Sequence, residues 1–373
     1  MKKKFGHIDW ILFLPIVALM LFSIAFVYSA SAFYAEHRQL TKEFFFREHS
    51  IRILLGLAII IIASKIDYHK WEKLSKPGII ISIILLILVL VSGISSKGAS
   101  RWINFGFISF QPSEFAKLSL VLYLSVYLSK NQEIIKDFQA GLLPPLIWTG
   151  FICFLIALQP NFSTTVVIFL IAIIILYLGN ARLIHLFFST SIGIALAGGY
   201  AFFVSKYPAE RIQTFLGSMQ ASPDLKLSHQ VEQALIALGT GGIFGLGPGH
   251  SKQKLLFLPE SFGDFIYSII GEEYGFIGTS IIIIVFLIIC WRGLKISKNA
   301  PDDFGFFLAS SITISFAIYA LVNAGVNTGL LPPTGLPMPF ISYGGTAVLF
   351  YSAAAGILLN ISSQAGIYPK KSS

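Results

Sequence analysis

The sequence predicts an all-α, polytopic membrane protein with about ten transmembrane helices, all within one integral-membrane domain of residues 1–373. Two observations carry this prediction. Of the 373 residues, 55% are hydrophobic and only 12% are charged, whereas soluble domains carry about 25% charged residues. The apolar residues also fall into long stretches, and a membrane-spanning helix needs roughly 20 of them at 1.5 Å rise per residue. A soluble protein is excluded, because it would expose these stretches to water.

Ten apolar stretches follow one another along the chain, with the cations gathered between them. The first stretch lacks a small-residue cleavage site, so it is predicted to be a retained helix rather than a signal peptide. The fourth has a proline in its first turn, where the missing N–H group does no harm. The predicted spans are Ile8–Ala32, Phe44–Ser64, Pro77–Ile94, Pro112–Ser129, Leu142–Leu158, Phe162–Gly179, Leu183–Ser205, Phe262–Trp291, Phe304–Leu331 and Pro339–Ile361.

The distribution of Lys and Arg predicts the orientation, since cytoplasmic loops carry an excess of these residues. The larger group is assigned to the cytoplasm, and an even number of spans then places both termini there. This arrangement also accounts for the net charge of +9. Nucleic-acid binding is not indicated, because no basic block is interleaved with aromatic residues. The fifteen inner cations are Lys2, Lys3, Lys4, Lys65, Lys70, Lys73, Lys76, Lys130, Lys136, Arg182, Arg292, Lys295, Lys298, Lys370 and Lys371. The six outer ones are Arg38, Lys42, Arg47, Arg52, Lys97 and Arg101.

The stretch 206–261, between spans seven and eight, is the only long connection, and it is predicted to lie outside the cell. Its segment Gly239–Gly249 contains too many glycines for a regular helix. One interpretation is a flexible, exposed loop. The neighbouring segments Gln230–Leu238 and Leu255–Leu258 are apolar enough to enter the membrane interface. We therefore favour a partly re-entrant loop that closes over a cavity.

Charged side chains inside a span are the first candidates for function, because an ion at membrane depth costs roughly 2.5–3.5 kcal/mol. Glu114 and Lys117 lie three residues apart in span four and share one helical face. The simpler explanation is an ion pair that lets this span pack on its neighbour. The functional interpretation is the polar wall of an outward-opening cavity, with Lys117 available to an anionic substrate.

Acidic residues also mark the start of span eight. Asp264 stands at its outer edge, where an aspartate is commonly a helix cap. Glu272 follows eight residues later on nearly the same face, so the two acids would form a proton path or a catalytic cavity. Glu273 points elsewhere, and it is expected to pair with a cation or to cap a neighbouring helix.

The segment Leu330–Pro339 contains four prolines and one glycine, so it is predicted to be a rigid outer connection and not a helix. The small polar residues Ser342–Thr346 follow, and small residues allow helices to pack closely. Cys153 and Cys290 are predicted to be packing residues, since no zinc or disulfide pattern includes them. Together these features predict a polar cavity beside lipid, suited to an amphiphile that is either moved or chemically altered.

Several of these motifs, in the same order, closely resemble the SEDS family (shape, elongation, division and sporulation). The resemblance covers nearly the whole chain. The matching stretches are Arg101–Ile103, Gln111–Lys117, Leu255–Glu260, Asp264–Phe265, Gly271–Glu273, Gly329–Pro332 and Pro339–Gly345. The resemblance implies a peptidoglycan glycosyltransferase that polymerises lipid II at the outer face of the bacterial cytoplasmic membrane. Residues 249–254 are more similar to the cell-division branch of the family, which implies septal wall synthesis.

The resemblance also implies roles for single residues. Asp264 matches the essential aspartate of the family and would be the general base. Lys117 and Arg101, with Arg211 as a further candidate, would neutralise the leaving diphosphate, and Glu114 would hold Lys117 in place. The chain departs from the family pattern in two places, since Phe262–Gly263 replace His-Thr and Asn161 replaces an aspartate. The further substrate contacts expected are Gln111, Glu260, Glu272 and Ser342.

The expected partners are lipid II, a class B penicillin-binding protein, other division or elongation membrane proteins, and membrane lipid. The sequence requires no cofactor, although a divalent cation, Mg²⁺ or Mn²⁺, could assist the diphosphate. An alternative function is a lipid II flippase or proton-coupled transporter with Glu272 and Glu273 as proton carriers. Few ionisable residues lie in the inner halves of the spans, which disfavours transport. A pure scaffold is disfavoured by the buried charges.

Overall fold

The computed structural model describes residues 7–92, 94–96, 99–104, 109–203, 229–259 and 261–365. Most of these residues are helical. The α-helices in this part of the chain are α1 (Trp10–His37), α2 (Phe44–Lys65), α3 (His69–Glu72), α4 (Ser75–Ser92), α5 (Pro112–Lys130), α6 (Leu143–Ala157), α7 (Phe162–Leu178), α8 (Leu183–Phe203), α9 (His229–Gly241), α10 (Ile266–Lys298), α11 (Asp303–Asn327) and α12 (Ala347–Gln364). A π-helical turn, Phe138–Leu142, leads into α6.

A helix lies at each of the ten predicted spans, so the helical membrane fold is confirmed. Within the described residues, five of these helices are long and apolar enough to cross a membrane, namely α1, α6 with its π-helical turn, α10, α11 and α12. Helices α4, α7 and α8 contain shorter apolar stretches, Ser75–Val91, Phe162–Leu178 and Leu183–Gly199. Helices α2 and α5 carry charged side chains that lower their apolarity. The count of ten crossings therefore stays a prediction.

Large apolar side chains cover the outside of the bundle. In α8, for example, Leu183, Phe187 and Leu196 are 67%, 66% and 70% exposed. A surface of this kind would be unstable in water, because soluble proteins rarely expose apolar patches beyond a few hundred Å². It is the surface that lipid chains solvate in a membrane protein.

A small sheet between α4 and α5 was missed by the sequence analysis. The strands β1 (Ile94–Ser96), β2 (Ala99–Asn104) and β3 (Ser109–Phe110) pair antiparallel in the order β1-β2-β3. The third predicted span was consequently too long, since α4 ends at Ser92 and Ile94 already belongs to β1. Hydropathy assigned Ile94 to the span, although its backbone pairs with that of Trp102.

Helices α2 and α12 pack in close contact through small residues. A methyl group added at Gly356 would lie 2.6 Å from the Ala63 side chain and 2.8 Å from the Ile60 carbonyl oxygen. Gly56 lies equally close to the Ser352 hydroxyl, 2.7 Å from the position of its missing methyl group. Small residues let helix backbones approach in this way, as in many membrane bundles.

Polar contacts join the helix ends at the side of the bundle predicted to be cytoplasmic. Asp302 accepts hydrogen bonds from the Tyr68 hydroxyl (2.6 Å) and from His69 Nε2 (2.7 Å). The bond to Asp302 raises the pKa of His69 above its usual value. Burial alone would raise the pKa of Asp302, but the bonds from His69 and Tyr68 lower it overall. Two further ion pairs lie at this end, Lys130 with Glu72 and Arg292 with Asp9.

Cysteine labelling tests the predicted orientation. In a background without Cys153 and Cys290, single cysteines at the exposed positions Thr41 and His250 should react with an impermeant thiol reagent in intact cells. A cysteine at the exposed position Lys73 should react only after the cells are opened. The reverse pattern, with Lys73→Cys labelled in intact cells, would overturn the orientation.

The segment after α9 is ordered by its contacts with α10. Helix α10 is interrupted at Gly275, whose φ of +67° is favourable only for glycine. The interruption leaves backbone groups without helical partners. The glycine-rich segment satisfies them, since Phe276 N donates to Gly242 O (2.8 Å) and Leu246 N donates to Glu272 O (2.9 Å). The described part of this loop is thus packed on α10, whereas its entry into the membrane and its closure over a cavity stay predictions.

Candidate active site

Asp264 lies immediately before α10 and is half-buried. Its backbone carbonyl oxygen accepts hydrogen bonds from two amides of α11, Asn323 Nδ2 at 2.8 Å and Asn327 Nδ2 at 3.0 Å. The helix cap is Phe265, with no side-chain capping bond. Asp264 is therefore not the N-cap residue of α10, and its backbone is fixed by α11 instead.

The proline-rich connection passes directly beside the Asp264 carboxylate. The amide of Asn323 that holds Asp264 also donates to the Leu336 carbonyl oxygen at 2.8 Å. Gly335 has a φ of +72°, and a methyl group placed on it would lie 3.4 Å from Asp264 Oδ2. One asparagine thus ties the backbone of Asp264 to the backbone of residues 332–339, and this segment forms one wall beside the acid.

The residues that follow this connection are tied to two other elements. Ser342 is 1% exposed, and its hydroxyl accepts a hydrogen bond from Met338 N (2.8 Å). Tyr343 N donates to the Phe262 carbonyl oxygen, two residues before Asp264, at 3.0 Å. Gln111 N, at the start of α5, donates to the Thr346 hydroxyl at 3.1 Å. The structure therefore gives Ser342 a bracing contact, and it brings the Gln111 backbone and residues 338–346 together.

Glu114 and Lys117 form a buried ion pair. Their oxygen and nitrogen lie 2.6 Å apart, with side-chain exposures of 4% and 7%. The ammonium group also lies 4.0 Å from the ring centre of Tyr319 and 4.2 Å from that of Tyr351. Two aromatic faces and a carboxylate stabilise a cation in an apolar setting. The pair thus connects α5 to α11 and α12.

This enclosure corrects the expectation that Lys117 lines an open cavity. A cavity of about 10 Å³ lies beside it, between α5 and α7, and that volume holds roughly one water molecule. The physical reason is the position of Tyr319 and Tyr351, which close over the ammonium group. Of the two interpretations of this pair, the structure shows the ion pair that packs α5 on its neighbours.

Glu272 is buried and hydrogen-bonded, so it does not form the cavity or proton path with Asp264 that the sequence analysis predicted. Its carboxylate is 1% exposed and accepts hydrogen bonds from the loop after α9. The donors are Ser251 Oγ (2.5 Å), Lys252 N (3.0 Å) and Gln253 N (3.2 Å). Glu272 thus anchors this loop to α10, which the sequence analysis did not predict. The carboxylate oxygens of Glu272 accept hydrogen bonds from a hydroxyl and from backbone N–H groups, and these donors do not form a proton path.

Glu273 pairs with a cation, as one sequence-based interpretation predicted. Lys254 Nζ lies 3.0 Å from its carboxylate, and the Ser29 hydroxyl of α1 donates to the same oxygen at 2.5 Å. The lysine and the glutamate are 10% and 2% exposed. This contact joins α1, α10 and the loop after α9.

Arg101 lies on β2 and contacts the connection between α6 and α7. Its Nε donates to the Gln159 carbonyl oxygen at 3.2 Å, and its Nη2 donates to the Pro160 carbonyl oxygen. Its neighbour Trp102 packs against Gly345, because a methyl group on Gly345 would lie 2.8 Å from the indole ring. The guanidinium group therefore braces the sheet beside residues 338–346. The other two predicted contacts, Arg211 and Glu260, lie outside the described residues.

Sequence reasoning missed two groups of polar residues around this site. Asn323 and Asn327 are uncharged, so a search for charges passed over them, although two amides four residues apart in an apolar helix were a usable signal. Glu48 was also missed. It accepts a hydrogen bond from the Tyr343 hydroxyl (2.5 Å), and Arg52, 2.8 Å from the same carboxylate, lies over the Tyr343 ring.

Among the described residues, no cluster of three or more His, Cys, Asp or Glu side chains could hold a metal ion. Asp264 lies beside backbone groups and asparagine amides rather than beside a second acid of such a cluster. The arrangement is that of one carboxylate beside backbone segments that neighbouring elements hold in place. Such a carboxylate can accept a proton from a bound hydroxyl group.

Comparison with known proteins identifies relatives over nearly the full length. The family model for FtsW, RodA and SpoVE, described as cell cycle protein, matches residues 9–366. The probable peptidoglycan glycosyltransferase FtsW of Trichlorobacter lovleyi is 39% identical over 373 residues, covering 99% of this chain and 97% of the relative. Stage V sporulation protein E of Bacillus subtilis is 37% identical over 359 residues, covering 94% and 96%.

Two solved structures share the fold. One comes from work on the structural coordination of polymerization and crosslinking by a peptidoglycan synthase complex; it has a TM-score of 0.76 and 23% identity, with 96% of this chain and 98% of that chain covered. The crystal structure of the rod shape determining protein RodA of Thermus thermophilus has a TM-score of 0.71 and 22% identity, with the same coverage. The match of the family model and the full-length relatives together establish that this chain belongs to the FtsW/RodA/SpoVE family of cell cycle proteins.

Proposed function

We propose that this protein is a peptidoglycan glycosyltransferase that polymerises lipid II at the outer face of the bacterial cytoplasmic membrane. The observation that carries the proposal is the placement of the half-buried residue Asp264. Its backbone is held by Asn323 and Asn327, and its side chain lies beside the proline-rich connection. The names of the full-length relatives support the same activity. Because several relatives that are 36–39% identical over nearly the full length are named probable peptidoglycan glycosyltransferase FtsW, we propose a role in septal wall synthesis during cell division.

The proposed reaction joins two lipid II molecules. The 4-hydroxyl of the acceptor sugar attacks the anomeric carbon of the donor, a glycosidic bond forms, and the bond to undecaprenyl diphosphate breaks. Asp264 accepts the proton of the attacking hydroxyl group, and such help increases a rate typically 10²–10⁴-fold. The departing diphosphate keeps the electron pair of the broken bond, so negative charge grows on it in the transition state.

The cations proposed to balance that charge differ in how the structure holds them. Arg101 already donates to backbone carbonyl oxygens, and Lys117 is enclosed by Glu114 and two tyrosines. A direct contact of Lys117 with the diphosphate requires α5 to separate from α11 and α12. We therefore propose that Lys117 and Glu114 act mainly as positioning residues, while Arg101 and Arg211 remain the proposed diphosphate contacts. Mg²⁺ or Mn²⁺ could accompany the diphosphate itself.

The proposed partner is a class B penicillin-binding protein, whose transpeptidase crosslinks the new strands. The likeness to a chain from a peptidoglycan synthase complex supports this proposal. Other division or elongation membrane proteins and membrane lipid are the remaining proposed partners. The large exposed apolar faces of the helices are suited to such contacts within the membrane.

The alternative, a lipid II flippase or proton-coupled transporter, requires carboxylates that gain and lose protons in each cycle. Its candidates were Glu272 and Glu273. Glu272 accepts hydrogen bonds from two backbone N–H groups and two hydroxyl groups, and Glu273 pairs with Lys254. Both carboxylates therefore hold the loop after α9 against α10 and α1, which is a structural role and not that of a proton carrier. The structure therefore supports the enzyme over the transporter.

Glu272→Gln is expected to leave partial polymerisation activity with an unchanged pH optimum. The amide keeps one acceptor oxygen but turns a donor toward Lys252 N or Ser251, which loosens the loop by roughly 1–3 kcal/mol. Rates measured with labelled lipid II across the pH range test this result. Glu232→Gln, an exposed change on α9, is the matched control and should retain full activity. Complete loss of activity with a displaced pH profile would instead assign the proton transfer to Glu272.

The proposed function is tested with purified protein and labelled lipid II, with and without the cognate class B penicillin-binding protein. Long glycan strands are expected when both proteins are present, and strands should lengthen with time. Lipid vesicles with lipid II on one leaflet provide the contrasting assay for transport. Transfer of lipid II between leaflets without any strand formation would overturn the proposal.

A further inference from the structure

A second cavity lies at the opposite end of the bundle from Asp264. It is formed where α1 begins and where α10 and α12 end, and its volume is about 410 Å³. That volume falls within the roughly 300–1,000 Å³ of small-molecule sites. Its lining combines two cations and an acid with polar and aromatic groups. Its lining includes Asp9, Trp10, Arg292, Lys295 and Ser362.

The charges of this cavity favour an anion. Asp9 is already engaged, because its Oδ1 accepts a bond from Leu12 N (3.1 Å) and its Oδ2 accepts one from Arg292 Nε (2.6 Å). Arginine has five N–H donors, and within the described part of the chain Arg292 forms a hydrogen bond through Nε alone. Lys295 is exposed, and it lies 5.7 Å from the ring centre of Trp291. The lining therefore has N–H donors and positive charge that Asp9 does not neutralise.

The start of α1 adds further donors. The first N–H groups of a helix have no acceptor within the helix and carry partial positive charge. Trp10 and Ile11, at the start of α1, both line the cavity. Asp9 N is held separately by the Ser362 hydroxyl at 3.2 Å, which fixes the helix start against α12. The cavity thus combines two side-chain cations with a fixed helix terminus.

The surroundings of the cavity are those of a membrane interface. Trp10 and Trp291 are 54% and 57% exposed on neighbouring helices, and exposed tryptophans gather at the level of lipid headgroups. Ile11 and Leu294 are exposed beside them. A bound molecule would therefore place an anionic head among Arg292 and Lys295 and hydrocarbon along the adjacent apolar faces. Basic pockets between helices at the cytoplasmic side of membrane proteins bind anionic lipid headgroups.

We propose that this cavity is a binding site for the phosphate of an anionic phospholipid of the inner leaflet. The site is separate from the proposed lipid II site, because Asp264 precedes the interruption of α10 at Gly275, whereas Arg292 lies about 25 Å beyond that interruption at 1.5 Å rise per residue. The bound phosphate accepts hydrogen bonds from Arg292 and from the start of α1, and Lys295 adds charge. Since the site joins α1, α10 and α12, occupancy stabilises the packing of these three helix ends.

Lipid binding to the full-length purified protein tests the proposal. Native mass spectrometry in detergent would compare phosphatidylglycerol with phosphatidylcholine, which has the same tails and no net charge. Preferential binding of phosphatidylglycerol is expected, and Lys295→Gln should reduce its affinity about fivefold, the typical effect of one basic residue near an anionic surface. Lys298→Gln, which removes the same charge from a residue outside the lining, is the matched control and should change the affinity less than about twofold.

Three results would overturn the proposal. The first is equal binding of the two lipids, and the second is an equal loss of affinity in Lys295→Gln and Lys298→Gln. The third is full competition by inorganic phosphate or glycerol phosphate at millimolar concentration, which would identify a soluble phosphate ligand instead of a lipid. A second variant, Arg292→Gln combined with Asp9→Asn, removes the pair together, so that no unpaired acid is left. It should lose the preference for phosphatidylglycerol while keeping its thermal unfolding midpoint in detergent without added lipid.

Discussion

Replacement of Asp264 by Asn is expected to abolish glycan polymerisation while the protein remains folded. The side chain keeps its size and loses its charge and basicity, so the attacking hydroxyl group has no proton acceptor. Loss of a general base typically lowers a rate 10²–10⁴-fold. The bonds from Asn323 and Asn327 reach the backbone carbonyl of residue 264 and are unaffected by the change. The rate of strand formation from labelled lipid II and the thermal unfolding midpoint measure the two effects.

The matched control for this variant is Asp303→Asn. Asp303 is exposed at the start of α11, at the other end of the bundle. The same chemical change there should leave the polymerisation rate near that of the wild type. A near wild-type rate in well-folded Asp264→Asn would show that Asp264 is not the base.

Lys117→Met is expected to lower the free energy of unfolding strongly. The substitution leaves Glu114 as an unpaired buried charge, and breaking a buried pair from one side typically costs about 3–5 kcal/mol. Combining it with Glu114→Gln removes that charge, so the double variant should recover much of the loss. Thermal unfolding of the wild type, both single variants and the double variant forms a complete cycle. This expectation replaces the sequence-based view of Lys117 mainly as a substrate ligand.

An exposed lysine on the same helix provides the control. Lys130 pairs with Glu72 at 2.6 Å, but the lysine side chain is 60% exposed. Exposed pairs contribute only about 0–1 kcal/mol, so Lys130→Met should have little effect on unfolding. Additive effects of Glu114→Gln and Lys117→Met would count against the coupling. Unchanged stability of Lys117→Met, with weaker use of the donor, would return Lys117 to the role of a diphosphate ligand.

Much of the fold could be predicted from the sequence, because long apolar stretches leave few alternatives to helices in a membrane. The boundary of span three was wrong, since hydropathy does not distinguish the end of an apolar helix from a short apolar strand such as β1. The packing of residues 239–258 on α10 could not be derived from the sequence, which also allowed a flexible loop. It depends on the interruption at Gly275, and a glycine within an apolar run does not reveal whether its φ is positive.

A residue of the candidate site could be predicted where its own charge is unusual for its position. It could not be predicted where its role depends on contacts with residues distant in the sequence. Asp264 was found because an acid at a membrane edge is unusual. The enclosure of Lys117 depends on Tyr319 and Tyr351, more than 200 residues away in the sequence. Glu272 was misread for the same reason, because its donors lie in a loop that folds back onto α10. Residue type alone does not reveal such long-range partners.

If the chain catalyses glycosyl transfer with Asp264 as the base, every glycosidic bond must release one undecaprenyl diphosphate. The amount of diphosphate released per bond can be measured with purified protein in detergent micelles, where no membrane separates two sides. We expect one diphosphate for each bond formed by the wild type and no release by Asp264→Asn. Bond formation by the Asn variant at the wild-type rate, or no bond formation by the folded wild-type protein with its partner, would show that the protein works in another way.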